Sequence, residues 1–312
     1  MLRQLLIEHS SISSAKRKFV CQRTCQRPLI LGKVVILCFG MTMVVSMSLD
    51  SVRTTARIAA EAAGEILRER LGKLTSIDYK SAFNIVTDAD KASEAEVIHI
   101  IRTEFPDHQI LGEESGALAT NSKKRWLIDP LDGTTNYAHG YPFFCVSIGF
   151  EDDGEMVFGM VYNPISNEIF HAERGGGAYL NETQIHCSKT SKLAESLLAT
   201  GFPPDTMNAK FSNIEEFHRL TDLCHGVRRD GSAALDLCFV AAGRFEGFWE
   251  FKLSPWDLAA GTVIVREAGG NVTSPTGGPF DINSGHVLAT NSLVHDEIIA
   301  ALAAGKQDLN LV

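Results

Sequence analysis

Two short apolar runs in this chain break off into paired acids, and a proline-led helical pattern opens on another acid. Gln109 to Leu111 passes into Gly112-Glu-Glu-Ser115, and Trp126 to Ile128 passes into Asp129-Pro-Leu-Asp-Gly-Thr-Thr-Asn136. Asp257 stands in the first turn of Pro255-Trp-Asp-Leu-Ala-Ala260. Strand ends and helix starts are where layered folds build their sites, because side chains there converge without disturbing the packed layers. Carboxylates gathered at such places repel one another unless cations neutralise them. Hard oxygen donors in that number suit Mg2+.

The surrounding periodicities agree with a layered α/β chain. Helical spacing is expected from Asp50 to about Leu71, through Ala59, Ala63, Ile66 and Leu67, and again from Lys91 to Phe105, where Pro106 ends it. Between them Asn84 to Asp90 reads as strand then turn. Phe143 to Phe150, Val157 to Tyr162 and Ile169 to Ala172 read as strands, with Asn163 to Asn167 as a hairpin turn and Gly175 to Gly177 as a loop. Beyond about residue 190 strand and helix alternate. Strands are expected at Leu197–Thr200, Val227–Arg229, Phe245–Phe251 and Val287–Thr290. Helices are expected at Ala209–Cys224, Ser232–Ala242, Pro255–Ala268 and His295–Ala304. This divides the chain into an extension (1–47), an α+β half that handles metal and phosphate (48–187) and an α/β half that handles substrate (188–312), with the join near Ser188.

Charge narrows the function. The 312 residues carry a formal net charge of −9, unevenly spread. Residues 1–47 hold seven basic side chains and one acid, leaving 22 basic and 37 acidic side chains for the rest. So acidic a body repels nucleic acid, which argues against a polyanion-binding module. A small phosphate is still admissible if bound cations mask the carboxylates. The seven cysteines show no ligand-like clustering: Cys21 and Cys25 have no histidine partner, and Cys145, Cys187, Cys224 and Cys238 are scattered. Buried thiols in a reducing compartment are the expectation, and with them a cytoplasmic location.

The N-terminal segment admits three readings. The apolar run Val34 to Val45 is shorter than the about 20 residues of a membrane-spanning helix, so a membrane role is expected only if residues 34–49 act as an anchor. With its basic flank and the small Ser46 and Ser48, the segment also fits a signal peptide, and its near lack of acids fits an organellar transit segment. Either would place the protein outside the cytoplasm. The third reading is an upstream extension from a wrong start, with Met47 as the true first residue; it is preferred because the domain pattern begins directly afterwards.

A single acid is ordinarily a helix cap or a solvated turn, and Asp257 alone reads as an N-terminal dipole partner. Three separate acidic turns, one continuing into Gly133-Thr134-Thr135, are harder to explain that way. The aspartates of Asp129–Asn136 can bind metal while the N–H groups opening the next helix hold a phosphate. Two cations bridged by one carboxylate can activate a water and stabilise a leaving oxygen.

Taken together, Asp129-Pro-Leu-Asp-Gly-Thr-Thr-Asn136, Gly112-Glu-Glu-Ser115 and Trp256-Asp-Leu-Ala-Ala-Gly261 resemble the signature motifs of the inositol monophosphatase family. The similarity runs from about Leu49 to Ala304. The resemblance implies a layered αβαβα sandwich, a homodimer, two or three Mg2+ per site and hydrolysis of a small phosphate monoester, here inositol monophosphate. It further implies that Glu113, Asp129 and the Leu131 carbonyl bind one Mg2+, and that Asp129, Asp132 and Asp257 bind the second. Asp90 and Thr134 match the pair that orients the attacking water, in a catalytic set with Glu113. Gly133 and Thr134 match phosphate donors, Gly231-Ser232-Ala233 a substrate-side loop, and Glu250 the acid that meets inositol hydroxyls. Lys80 matches less well, because the segment to Asp90 is one residue short of the family pattern.

Other prominent residues read as structural. His139 is expected in a supporting role and Trp126, Trp249 and Trp256 as packing anchors; Arg228-Arg229 have the reach for a second phosphate, but a place at the surface or a dimer interface is preferred. A haloacid-dehalogenase-type phosphatase spaces its two acids two apart, whereas Asp129 and Asp132 are three apart. Histidinol-phosphate, fructose-1,6-bisphosphate and phosphoadenosine phosphatases share the metal motifs and stay open as alternatives. So does a non-catalytic role as a binding partner of transcription machinery, although no metal ligand is missing.

Overall fold

The computed structural model describes residues 30–31, 34–35, 49–79, 85–203 and 212–304. The chain divides into two compact units, Met1–Ser48 and Leu49–Val312. In the first, β1 (Ile30–Leu31) pairs antiparallel with β2 (Val34–Val35). The rest of the apolar run to Val45 lies outside the described residues, as does Lys80. No helix among the described residues is long and apolar enough to cross a membrane.

The second unit opens with α1 (Asp50–Arg70), which buries an alanine-rich stripe of Val52, Ala56, Ala59, Ala60, Ala63 and Leu67. The strands β3 (Ile77–Tyr79) and β4 (Ile85–Thr87) form a small hairpin leading into α2 (Asp88–Glu104). Helix α2 begins three residues earlier than its apolar spacing suggests. Thr87 caps it, and Asp90 at the third position reaches back to the Thr87 N–H, so a reciprocal capping box fixes the start. Asp90 is therefore in a first helical turn, not in a connecting turn.

Eight strands make the larger sheet: β5 (Gln109–Gly112), β6 (Gly116–Leu118), β7 (Lys124–Asp132), and, after the one-turn α3 (Thr134–Ala138), β8 (Cys145–Asp152), β9 (Glu155–Asn163), β10 (Glu168–Glu173), β11 (Gly177–Leu180) and β12 (Thr183–Ile185). Their order is β12-β11-β10-β9-β8-β7-β5-β6. Only β5 and β7 are parallel neighbours, which brings the Glu113 turn and the Asp129–Asp132 segment to the same sheet end. The β7–β8 register shifts between Asp129 and Asp132, where Pro130 has no N–H to give the ladder.

The second sheet takes β13 (Leu197–Thr200), then α4 (Ile214–Thr221), β14 (Gly226–Arg228), α5 (Ala233–Ala241), β15 (Gly247–Glu250), α6 (Pro255–Glu267), β16 (Asn271–Thr273), β17 (Val287–Thr290) and α7 (His295–Ala303). Its strand order is β14-β13-β15-β17-β16. Helices α1 and α2 cover one face of the large sheet and α5 and α6 the other; α5 and α6 also cover the small sheet, whose far face carries α4 and α7. The layers thus run αβαβα. Position explains composition: α6 is buried continuously from Leu258 to Val265 because sheets lie on both sides of it, so no polar face is needed. Trp126 and Trp249 are fully buried in the two outer cores, as packing anchors should be.

Candidate active site

The acids expected from sequence come together in a cleft of about 260 Å3. Larger cavities of about 590 and 540 Å3 lie elsewhere, where arginines are ion-paired with acids of the lining. The cleft differs in its balance of charge. Among the described residues six carboxyl groups line it (Glu113, Asp129, Asp132, Asp236, Glu250 and Asp257) against two cations, Arg229 and Lys252.

Each acid is placed by the element that carries it. The Glu113 N–H donates to the Ile128 carbonyl at 3.2 Å, tying the turn after β5 to β7. Asp129 is buried, and its Oδ1 accepts the Leu131 N–H at 3.0 Å. Asp132 Oδ2 accepts the Ser232 hydroxyl and the Ala234 N–H, each at 2.7 Å, so α5 holds this carboxyl from the opposite wall. Asp257 closes the capping box of α6, its Oδ2 taking the Ser254 N–H at 2.7 Å.

Electrostatics record how crowded these groups are. Burial drives the Asp129 carboxyl well above its usual range, and Glu113, Asp132 and Asp257 push it further. Burial, then the Asp132 charge, lifts Asp257 to about 8. Burial and the Asp257 and Asp132 charges lift Glu250 to about 8 against the pull of Arg229. Asp132 is raised by burial, and its hydrogen bonds from Ser232 and α5 oppose the rise. Among the described residues no three acid, histidine or cysteine side chains already close around one point; Asp129 and Asp257 accept from donors of their own loops, and Asp132 from α5. The set is therefore a pool of hard oxygen donors, including the Leu131 carbonyl, with an excess of negative charge. Its chemistry fits a divalent cation of the Mg2+ type.

Beside the acids, Gly133 has φ +94°, and a Cβ there would stand 2.9 Å from the Phe143 carbonyl oxygen. Glycine is required both by the turn and by the close approach. The Thr134 hydroxyl lies 3.0 Å from both Asp90 Oδ1 and the Leu131 carbonyl. Asn136 Nδ2 donates to the Phe143 and Asp230 carbonyls at 2.7 Å each, which docks the Gly231–Ala233 loop against α3.

Glu113, Asp129, Leu131, Asp132, Gly133, Thr134, Gly231, Ala233, Glu250 and Asp257 all line the cleft. Asp90 and Ser232 sit one layer behind, bonded to Thr134 and Asp132. Three charged lining residues, Arg229, Lys252 and Asp236, were not placed here from sequence. Arg229 is exposed, as expected, and also lines the cleft near Glu250. Asp236 is buried in α5, and its Oδ1 has no hydrogen-bond partner among the described residues; in sequence it looks like a polar position in an apolar helix. Trp256 lines the cleft as well, and His139 is exposed.

A profile of the inositol monophosphatase family matches residues 48–307. An inositol-1-monophosphatase of Synechocystis is 47% identical over 263 residues, covering 83% of this chain and 92% of that protein. The Nus factor SuhB of Pasteurella multocida is 43% identical over 244 residues, covering 77% and 91%. The solved structure of inositol monophosphatase from Anabaena (Nostoc) sp. superposes with a TM-score of 0.76 at 47% identity, covering 82% of this chain and 96% of that one. The chain belongs to the inositol monophosphatase family of phosphatases.

Proposed function

We propose that this protein is a Mg2+-dependent phosphomonoesterase that hydrolyses inositol monophosphate to inositol and phosphate. The observation that carries the reading is the gathering, among the described residues, of six carboxyl groups against two cations on one cleft of a chain in this family. Glu113, Asp129 and the Leu131 carbonyl would hold one Mg2+, and Asp129, Asp132 and Asp257 a second. Bound there, the cations supply Lewis-acid stabilisation of the phosphoryl oxygens and a more acidic water.

The remaining work falls to the chain itself. Asp90, lifted to about 6 by burial, accepts the Thr134 hydroxyl, so a Thr134 lone pair faces outward to take a hydrogen bond from the attacking water. Gly133 and Thr134 N–H groups receive the phosphate, and Glu250 and the Gly231–Ala233 loop meet the polyol. A homodimer is proposed on the family resemblance. The four cysteines among the described residues are unpaired thiols, which supports a reducing, cytoplasmic setting.

Mg2+-dependent phosphate release from inositol-1-phosphate, histidinol phosphate and fructose-1,6-bisphosphate tests the reading. Preference for inositol-1-phosphate supports it; preference for another substrate reassigns the enzyme within the family. A second reading, a binding partner of transcription machinery, draws on the Nus factor relative. It predicts no Mg2+-dependent turnover of any of the three.

A further inference from the structure

Helix α2 touches both acidic turns with one face. Asp90, Ser93 and Glu94 lie at i, i+3 and i+4, and all three are buried. Asp90 accepts the Thr134 hydroxyl, and the Ser93 hydroxyl donates to the Pro130 carbonyl at 2.8 Å, inside the Asp129–Asp132 segment. Glu94 Oε1 accepts the Glu114 N–H at 3.0 Å, and its carboxylate also takes the Ser115 hydroxyl and N–H. Glu113 is thus held between two anchors, its own N–H on β7 and the next N–H on α2. Gly112 makes the second anchor possible: a Cβ there would fall 2.1 Å from Glu94 Oε1.

Glu94 is 3% exposed and forms no ion pair among the described residues. A buried carboxylate without a cation is costly, and here its hydrogen bonds all come from the Glu113 turn. We propose that Glu94 is a positioning residue for phosphate ester hydrolysis. Its carboxylate fixes the Glu113 turn to the same helix that carries Asp90, which holds the cation-facing acid and the water-facing Asp90–Thr134 pair in one register. This rests on the roles given above to Glu113 and Asp90.

The test is calorimetric titration of Mg2+ into the chelator-stripped full chain, beside kcat and KM for inositol-1-phosphate. Glu94→Ala should weaken Mg2+ binding and lower kcat by about 10- to 100-fold, the usual effect of losing a partner that orients a metal ligand. KM at saturating Mg2+ should stay unchanged. Glu94→Gln keeps an oxygen to accept the Glu114 N–H and should recover most of the loss. Gly112→Ala, which pushes the Glu94 carboxylate away, should reproduce Glu94→Ala, and it carries the test if Glu94→Ala does not fold. Unchanged Mg2+ binding in a folded Glu94→Ala protein overturns the proposal, as does Glu94→Gln being as impaired as Glu94→Ala. Absence of Mg2+-dependent turnover in the parent would remove the proposed function instead, with the titration still deciding whether Glu94 orients the cation site.

Discussion

Thr134 and Asp90 meet across 44 positions of sequence, with the threonine hydroxyl 3.0 Å from Asp90 Oδ1. The other oxygen, Oδ2, is committed to the Thr87 N–H at 2.8 Å and the Thr87 hydroxyl at 2.5 Å. The carboxyl that orients Thr134 is therefore itself oriented by a helix cap. Thr134→Val removes the hydroxyl while preserving shape. It should lower kcat by about 10²–10⁴, the usual contribution of a positioned proton acceptor, with Mg2+ binding and KM little changed. Steady-state kinetics at saturating Mg2+ check this, and a KM effect alone would count against the water-orienting role.

Asp257 is both an α6 capping residue and a proposed ligand of the second cation. Asp257→Asn keeps an oxygen able to accept the Ser254 N–H but removes one charge from a crowded cluster. Turnover should fall by at least several orders of ten, while the chelated variant melts no lower than the chelated parent. Melting curves and phosphate release measure the two sides independently. A lower melting temperature would mean that Asp257 mainly holds the helix start.

Much of this architecture was legible in sequence because local chemistry and tertiary placement agreed. The strand end before Glu113, the proline-led start of α6 and the Asn163–Asn167 hairpin all occur where their residues alone put them, whereas the strand expected to stop at Ile128 continues to Asp132. The early start of α2 was readable in principle from Thr87 and Asp90, but apolar spacing is silent at a helix N-terminus. Strand β7 runs through Pro130 because its shifted register spares a ladder bond that proline cannot make. The short strands β6, β12 and β16 hold too few residues for a period to show. Asp236 and Arg229 reach the cleft only because α5 and the loop before it fold back over Asp132, a juxtaposition with no local signal.

The family match begins at residue 48, and Leu49–Val312 forms a compact unit of its own. A protein beginning at Met47 should therefore match the full chain in kcat and KM and be more soluble. Loss of cooperative melting in the shortened protein would show that residues 1–46 contribute to folding. Mass spectrometry of the native N-terminus would establish which start is used.

Stability of the metal-free protein should depend on pH in an unusual direction. Asp257 and Glu250 are lifted to about 8, far above the values they regain on unfolding. Between about pH 5 and about pH 8 the folded state therefore holds protons that the unfolded chain has released. Stability contributed by these groups is present at the lower end and lost as pH rises through the folded values. In chelator, the melting temperature should fall across that window. Saturating Mg2+ should flatten the profile, because a cation stabilises the ionised carboxylates and binds only the folded state. Differential scanning fluorimetry with and without chelator measures both curves. A flat chelated profile would mean that these two acids are not crowded as described.

Glu250 is the residue proposed to set substrate class. It closes β15 on the cleft near Arg229, and the Gly133–Thr134 N–H groups proposed to receive phosphate line the same cleft. A strand-ending acid often faces water and does nothing more, and the two possibilities differ in kinetics. If its carboxyl meets ring hydroxyls, Glu250→Gln should cost about 1–3 kcal/mol in kcat/KM for inositol-1-phosphate, the size expected for a hydrogen bond to a charged group. The same change should barely affect a generic aryl phosphate, which presents no hydroxyls. Equal losses on both substrates would show that Glu250 acts through the cation site, since the Asp257 and Asp132 charges both reach it. No loss on either would show that the polyol is recognised elsewhere on the cleft wall, with Asp236 and Arg229 the next residues to substitute.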